Sequence, residues 1–292
     1  MYRSLSIFCL LMVPSAALCQ QNSVGIRHGT IVVYEATPTQ AIIVADSKLY
    51  DPQTKWSGSA CKIINLSDDT LFFFTGNLFE VNKTGKTIFS QQTVARVAYA
   101  FFKDAPRTQN RLMEIANKYS ALLVPQMNDA LKLIKQPSDY SGLAGFASRD
   151  ELNHPWIITV NISVTDKKNG EPMYAEPPQV SGIILNKQYM GDYPQYKPVM
   201  EFLDAKTPRG KLAMEKFKSR AAKLPESDKE VYELIAAVEA AFKWDEKDPV
   251  IGPPVDAVVI EPDAGIRWIK HKPKCSPQYR LNDKINKSGH SE

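Results

Sequence analysis

Thr30, Asp46 and Lys62 follow one another at equal steps of sixteen residues, in a region otherwise rich in β-branched and aromatic side chains. Each marks the end of an apolar run: Thr30 opens 30–33, Asp46 closes 41–45 and Lys62 begins the run around Ile63. A hydroxyl, a carboxylate and an ammonium in one place form a chemical set. The ammonium stabilises alkoxide character on the hydroxyl, and the carboxylate holds the ammonium where it is needed. Two readings of the charged pair stay open on residue types alone. Asp and Lys are rarely buried without a partner, so one reading is a structural ion pair that does no chemistry. The other is a pair that serves the threonine.

The elements that must position these residues are short strands. Runs 30–33 and 41–45 flank a Thr-Pro-Thr-Gln turn, and two more apolar runs follow around Ile63 and Phe73. This reads as two consecutive β-hairpins. Placed side by side in one sheet, equal steps between antiparallel strands would bring Thr30, Asp46 and Lys62 to one end of that sheet.

Gly29-Thr30, Ala45-Asp46-Ser47, Lys62-Ile63 and Thr75-Gly76 resemble, in ungapped register from 30 to 76, the β-type subunits of the proteasome, members of the N-terminal nucleophile hydrolase superfamily. His28-Gly29-Thr30 also looks like the processing junction of some bacterial members. The resemblance implies self-cleavage between Gly29 and Thr30. It makes the freed Thr30 hydroxyl the nucleophile, with its own amine as base. By the same resemblance Lys62 and Asp46 supply and hold the positive charge, and the Gly76 N–H is the oxyanion donor. Phe74 falls where the family floors its first specificity pocket, which would favour small or medium side chains before the scissile bond. Asp248, ahead of Gly252 and the run 255–260, falls where an aspartate helps hold the threonine. Two positions depart from the pattern: Asp192 and Ile251 stand where the family carries serines. The resemblance implies no metal and no cofactor. It implies peptide or unfolded-protein substrates and a homo-oligomer, such as a ring built on the outer helices.

Residues 1–19, with one Arg, an apolar stretch at 5–13 and small residues at 15–17, read as a secretory signal peptide too short for a comfortable membrane span. The chain is therefore expected to be exported, periplasmic or secreted, with 20–29 as a propeptide. Of its cysteines Cys9 leaves with the signal, as does Cys19 unless it is the acylated residue of a lipoprotein, and Cys61 and Cys275 remain as one candidate disulfide. At 43% hydrophobic and 23% charged the remainder is ordinary globular material. The formal charge of +4 is dispersed along the chain with no basic run, which argues against nucleic acid as a partner. Gly85-Lys86-Thr87 is not a phosphate loop, because the glycine that motif needs at position 80 is Glu80.

Beyond residue 76 the period of the apolar residues changes repeatedly. Helical spacing predicts helices at 93–102 and 108–134, the second kinked or broken by Pro125. Strands are expected at 141–147, 156–164 and 179–185, with His154 solvated in a loop between the first two. Helices are expected again at 198–203, 211–223 and 228–242, with 206–210 only a turn and Ser227 capping the last helix over Glu230. Strands 257–260 and 265–270 close the order, and 271–292 is expected to be a loose tail. With no linker long enough for a boundary, residues 30–270 form one α+β domain. The order of elements and the resemblance together predict a four-layer αββα sandwich of two antiparallel sheets. Two functions remain: a threonine-type peptidase, or a proteasome-like binding or ring-forming protein without catalysis.

Overall fold

The structure, a computed structural model, describes residues 25–26, 31–51, 56–75, 79–81, 87–131, 140–165, 174–175, 179–181, 187–191, 197–244 and 251–272. Its elements run β1 (Gly25–Ile26), β2 (Ile31–Ala36), β3 (Ala41–Ala45), β4 (Lys48–Asp51), β5 (Trp56–Ser59), β6 (Ile63–Asn65), β7 (Thr70–Phe74), β8 (Phe79–Val81) and β9 (Thr87–Ser90). Helices α1 (Gln91–Ala100) and α2 (Gln109–Leu131) follow, then β10 (Tyr140–Arg149), β11 (Pro155–Thr165), β12 (Tyr174–Ala175), β13 (Gln179–Ser181) and β14 (Lys187–Gly191). Helices α3 (Lys197–Asp204), α4 (Pro208–Ala221) and α5 (Glu226–Trp244) lead to the last hairpin, β15 (Asp256–Glu261) and β16 (Gly265–Lys270). The chain is α+β, with antiparallel sheets and five helices among the described residues.

Two sheets carry the core. One has the order β14-β2-β3-β15-β16; the other runs β12-β11-β10-β7-β6, with β13 also on β11. Two small sheets, β1-β8-β9 and β4-β5, stand apart from them. The hairpin β2-β3 and the hairpin β6-β7 therefore lie in different sheets, which corrects the expectation that they are neighbours in one. The reason is burial. Every residue of β2, β3 and β7 is buried, so each of these strands needs a layer on both faces. The short β4-β5 hairpin between Asp46 and Lys62 occupies the chain while it passes from one sheet to the other.

Alternation along the strands divides the core three ways. Ile31, Val33, Ile42 and Val44 cluster with Val199 of α3 and with Leu234 and Val238 of α5. Their neighbours Val32, Tyr34 and Ile43 cluster instead with Ile63, Leu71 and Phe73 of the second sheet. On that sheet Phe72 and Phe74 turn the other way, into a cluster with Ile115 and Tyr119 of α2. Gly145 lies opposite Phe73 across β7 and β10, and a Cβ there would sit 2.2 Å from the Phe73 ring. The ring covers the glycine, and a side chain at 145 would evict it.

The helices begin and end where local chemistry dictates, and three expectations change. Helix α2 runs through Pro125 without breaking; Pro125 and Ala121 are both exposed, so the carbonyl deprived of its donor faces water. Helix α4 starts at Pro208 rather than at 211, because Thr207 caps it by accepting from the Gly210 N–H at 3.0 Å and proline suits the first helical position. Helix α5 starts at Glu226, which puts Ser227 inside the first turn rather than at the cap. Strand β13 ends at Ser181, and 182–185 of the predicted strand lie outside the described residues.

Candidate active site

The turn of the first hairpin is tied by Thr37, whose hydroxyl accepts from the Gln40 N–H at 3.1 Å. That fixes the register Val32 opposite Ala45 and carries Asp46 to the end of β3, beside the start of β2. There the Asp46 carboxylate, fully buried, receives four donors. Oδ1 accepts the Ile31 N–H at 2.8 Å and the Lys62 ammonium at 2.6 Å. Oδ2 accepts the Lys48 N–H at 3.1 Å and the Gly252 N–H at 3.2 Å. Charge and hydrogen bonding are met on both oxygens, which is the condition for an ion pair to persist without water.

Lys62 reaches Asp46 from the other sheet and is itself 0% exposed. Its carbonyl accepts from the Phe74 N–H at 3.2 Å, extending the β6-β7 ladder by one residue. The preceding carbonyl, of Cys61, accepts from Gln92 of α1 at 2.5 Å. The pair thus joins the two sheets at one end of their shared cluster, instead of closing the end of a single sheet.

The first residue of β2 to be described is Ile31, and its N–H is the one Asp46 holds. Thr30, covalently bonded to that nitrogen, lies outside the described residues, as do Gly29, Gly76, Asp192, Asp248 and Cys275. Around Gly76 the scaffold is firm up to Thr75. The Thr75 N–H donates to the Leu143 carbonyl at 2.7 Å, and its hydroxyl accepts from the Leu143 N–H at 2.8 Å. Its carbonyl receives Gln91, which in turn accepts from the Tyr119 hydroxyl at 2.8 Å. Phe74 is fully buried, stacked on Phe72 with ring centroids 5.7 Å apart, on the side facing α1 and α2. Ile251 is buried in the cluster between the first sheet and α5. Cys61 is disulfide-bonded, and no other cysteine is among the described residues.

No family model matches this chain, and no curated protein matches it.

A second charged group stands beside the first, and sequence reading missed it. Asp256, the first residue of β15, is fully buried opposite Ala45. It accepts the Ser47 hydroxyl at 3.3 Å and the Lys272 N–H at 2.9 Å. The Lys272 ammonium, 3.9 Å from Asp256, donates to the Ala60 carbonyl. Burial raises the Asp256 carboxyl above the usual range, against the opposing pull of Lys272. Burial also lowers Lys272 to about 8, helped by the charge of Lys62 and opposed by Asp256 and Asp46. The His271 ring packs against Trp268, tilted by 40° with centroids 4.0 Å apart, and burial lowers its pKa as well. His271 and Lys272 are therefore held in place, which corrects the expectation of a loose tail beginning at 271.

The signal that could have revealed Asp256 was akin to the one that revealed Asp46: a carboxylate at one end of an apolar strand, closing β3 in one case and opening β15 in the other. Lys272 gave no such signal, since it sits in the charged run His271-Lys272-Pro273-Lys274. A cleft of about 670 Å³, lined by Phe242, Pro253, Pro254, His271 and Lys272 among others, opens beside this second group rather than beside Asp46. His154, 52% exposed, lies 3.4 Å from Asp150 at the loop between β10 and β11 and takes no part in either group. Among the described residues no cluster of His, Cys, Asp and Glu is arranged to hold a metal, and no helix is long and apolar enough to cross a membrane.

Proposed function

We propose that the chain is an exported N-terminal-threonine hydrolase that cleaves peptide bonds after removing its own leader between Gly29 and Thr30. One observation carries this reading: a single buried carboxylate, Asp46, holds both the Lys62 ammonium and the backbone N–H directly following Thr30. A clamp of that kind fixes an ammonium relative to the start of the strand that a nucleophilic Thr30 would head. The fold goes with it. Two sheets sharing an apolar cluster, each with helices on its other face, are what a four-layer αββα N-terminal-nucleophile hydrolase requires.

In this reading the Thr30 amine takes the proton of its own hydroxyl, and the hydroxyl oxygen attacks the peptide carbonyl. Lys62 lowers the cost of alkoxide character, Asp46 and Asp248 hold the arrangement, and the Gly76 N–H receives the oxyanion. Phe74 belongs to the wall behind the first specificity pocket. The proton passes to the leaving amine, and water then releases the acylated threonine. Residues 1–19 direct export and 20–29 form the propeptide. The substrates are short or unfolded peptides, since an exported enzyme meets no ATP to drive unfolding, and the protein works as a homo-oligomer. We also pair Cys61 with Cys275, three residues beyond the Lys272 that reaches Ala60.

A second reading has one observation in its favour. Ile251 is 5% exposed inside an apolar cluster, at a position where the resemblance calls for a serine, and this suits a protein that keeps the scaffold for binding or ring formation. Mass spectrometry of the mature exported protein separates the two. The hydrolase must begin at Thr30, and Thr30→Ala must keep its propeptide. A wild-type chain still beginning near Gln20 would leave Thr30 acylated and without a base, and would select the binding reading.

A further inference from the structure

We propose that Lys272 is a positioning residue: with Asp256 it ties together the two loops that bear Asp46 and Lys62, and so sets where the Lys62 ammonium stands. This role deepens the reading of Lys62 as part of a nucleophile site and rests on it; the tie itself does not.

The tie is a closed ring of hydrogen bonds. Ser47, next to Asp46, donates its hydroxyl to Asp256 at 3.3 Å, and its carbonyl accepts the Ala60 N–H at 2.8 Å. Ala60 lies two residues before Lys62, and its own carbonyl accepts the Lys272 ammonium. The Lys272 N–H returns to Asp256 at 2.9 Å. Ser47 also donates its N–H to the Gly252 carbonyl at 3.3 Å, while the Gly252 N–H serves Asp46. The loop that carries Asp46 and the loop that carries Lys62 are therefore both anchored on the second pair. With Lys272 only 5% exposed, this anchor is an interior one.

The charges facing Lys272 are Asp256 on β15, Asp46 after β3 and Lys62 before β6. His271, its chain neighbour, faces Asp256 at 3.9 Å and is held neutral by burial at and above neutral pH. Lys62 opposes protonation of Lys272. The Lys272 ammonium holds the Ala60 carbonyl, two residues before Lys62, and a neutral amine donates more weakly than an ammonium, so loss of the Lys272 proton loosens the loop that bears Lys62. A hydrolase built on Lys62 would then show a step in its pH profile where Lys272 loses its proton.

The experiment follows the side-chain Cε and Nζ resonances of Lys62 and Lys272 with pH in full-length, carbon-13 lysine-labelled protein, without substrate. Lys272 is expected to titrate near pH 8, and the Lys62 resonance to show an inflection at the same pH. In Lys272→Gln, which keeps a donor for the Ala60 carbonyl, that inflection is lost. A Lys62 resonance that passes through the Lys272 midpoint without inflection overturns the proposal. The wild-type curve alone decides this if the glutamine variant does not fold. Because no turnover is measured, the result is independent of whether Thr30 is the mature N-terminus.

Discussion

Asp46–Lys62 and Asp256–Lys272 are two Asp–Lys pairs of the same chemistry, side by side in one interior, and the scaffold surrounds them differently. In the first, nitrogen and oxygen are 2.6 Å apart and three backbone N–H groups complete the carboxylate. In the second the separation is 3.9 Å, the ammonium is drawn to a backbone carbonyl, and both partners are pushed toward their neutral forms. What differs is the supply of backbone donors. The carboxylate at the end of β3 faces the start of β2 and the turn at Gly252, where N–H groups point inward. Asp256 opens a central strand, with one backbone N–H and one hydroxyl turned toward it. Where the scaffold offers a buried pair few donors, burial pushes the carboxyl up and the ammonium down, toward the neutral forms of both.

The comparison is sharpest where one lysine is removed from each pair. Lys62→Met leaves a fully buried carboxylate without its counter-charge, which typically costs about 3–5 kcal/mol. Chemical denaturation should show that loss; on the hydrolase reading, processing at Gly29-Thr30 should also stop in the same variant. Lys272→Met should cost less, about 1–3 kcal/mol at neutral pH, because Asp256 can take up a proton in place of its partner. Equal losses in the two variants would remove the distinction between the pairs.

The same difference explains what was legible in the sequence. The Asp46–Lys62 pair could be read because each residue interrupts an apolar run, and so could the antiparallel hairpins, from their turns and alternation. That the hairpins belong to separate sheets could not. Period-2 alternation gives the faces of a strand but not which layer covers each face, and β2, β3 and β7 are buried on both. Asp256 was written as clearly as Asp46, and its partner stands at the same step of sixteen residues. Lys272 was hidden in a charged run, where the ordinary outcome is solvation. Pro125 misled for the opposite reason: its exposure, not its identity, decides whether the helix survives.

A pH series extends the comparison with a smaller and directional effect. Lys272 has its pKa lowered on folding from 10.5 to about 8, so between those values the unfolded chain binds more protons than the folded one. Stability therefore rises with pH across the window from about 8 to 10.5, and the contribution is lost as pH falls through about 8. The slope from one such group is at most about 1.4 kcal/mol per pH unit. Wild type should gain on Lys272→Met throughout that window, read as a widening gap in denaturation midpoints. A constant gap would mean that Lys272 keeps its proton as firmly as an exposed lysine.

The smallest effect is expected at Ser47, which touches both pairs without belonging to either. Its hydroxyl gives Asp256 one hydrogen bond at 3.3 Å, while its backbone N–H and carbonyl tie the Asp46 loop to Gly252 and Ala60. Ser47→Ala removes only the hydroxyl, so the expected destabilisation is about 1 kcal/mol, the ordinary net worth of a single hydrogen bond. The informative quantity is where the loss appears. Asp256 loses a donor that stabilises its charged form, so its carboxyl should titrate higher still in Ser47→Ala. Asp46 keeps its four donors, so its carboxyl carbon-13 shift should stay as in wild type. Carboxyl carbon-13 shifts of the two aspartates separate these outcomes. Movement of both would mean that the pairs share one hydrogen-bonded unit, in which the tight pair depends on the loose one for more than its anchorage.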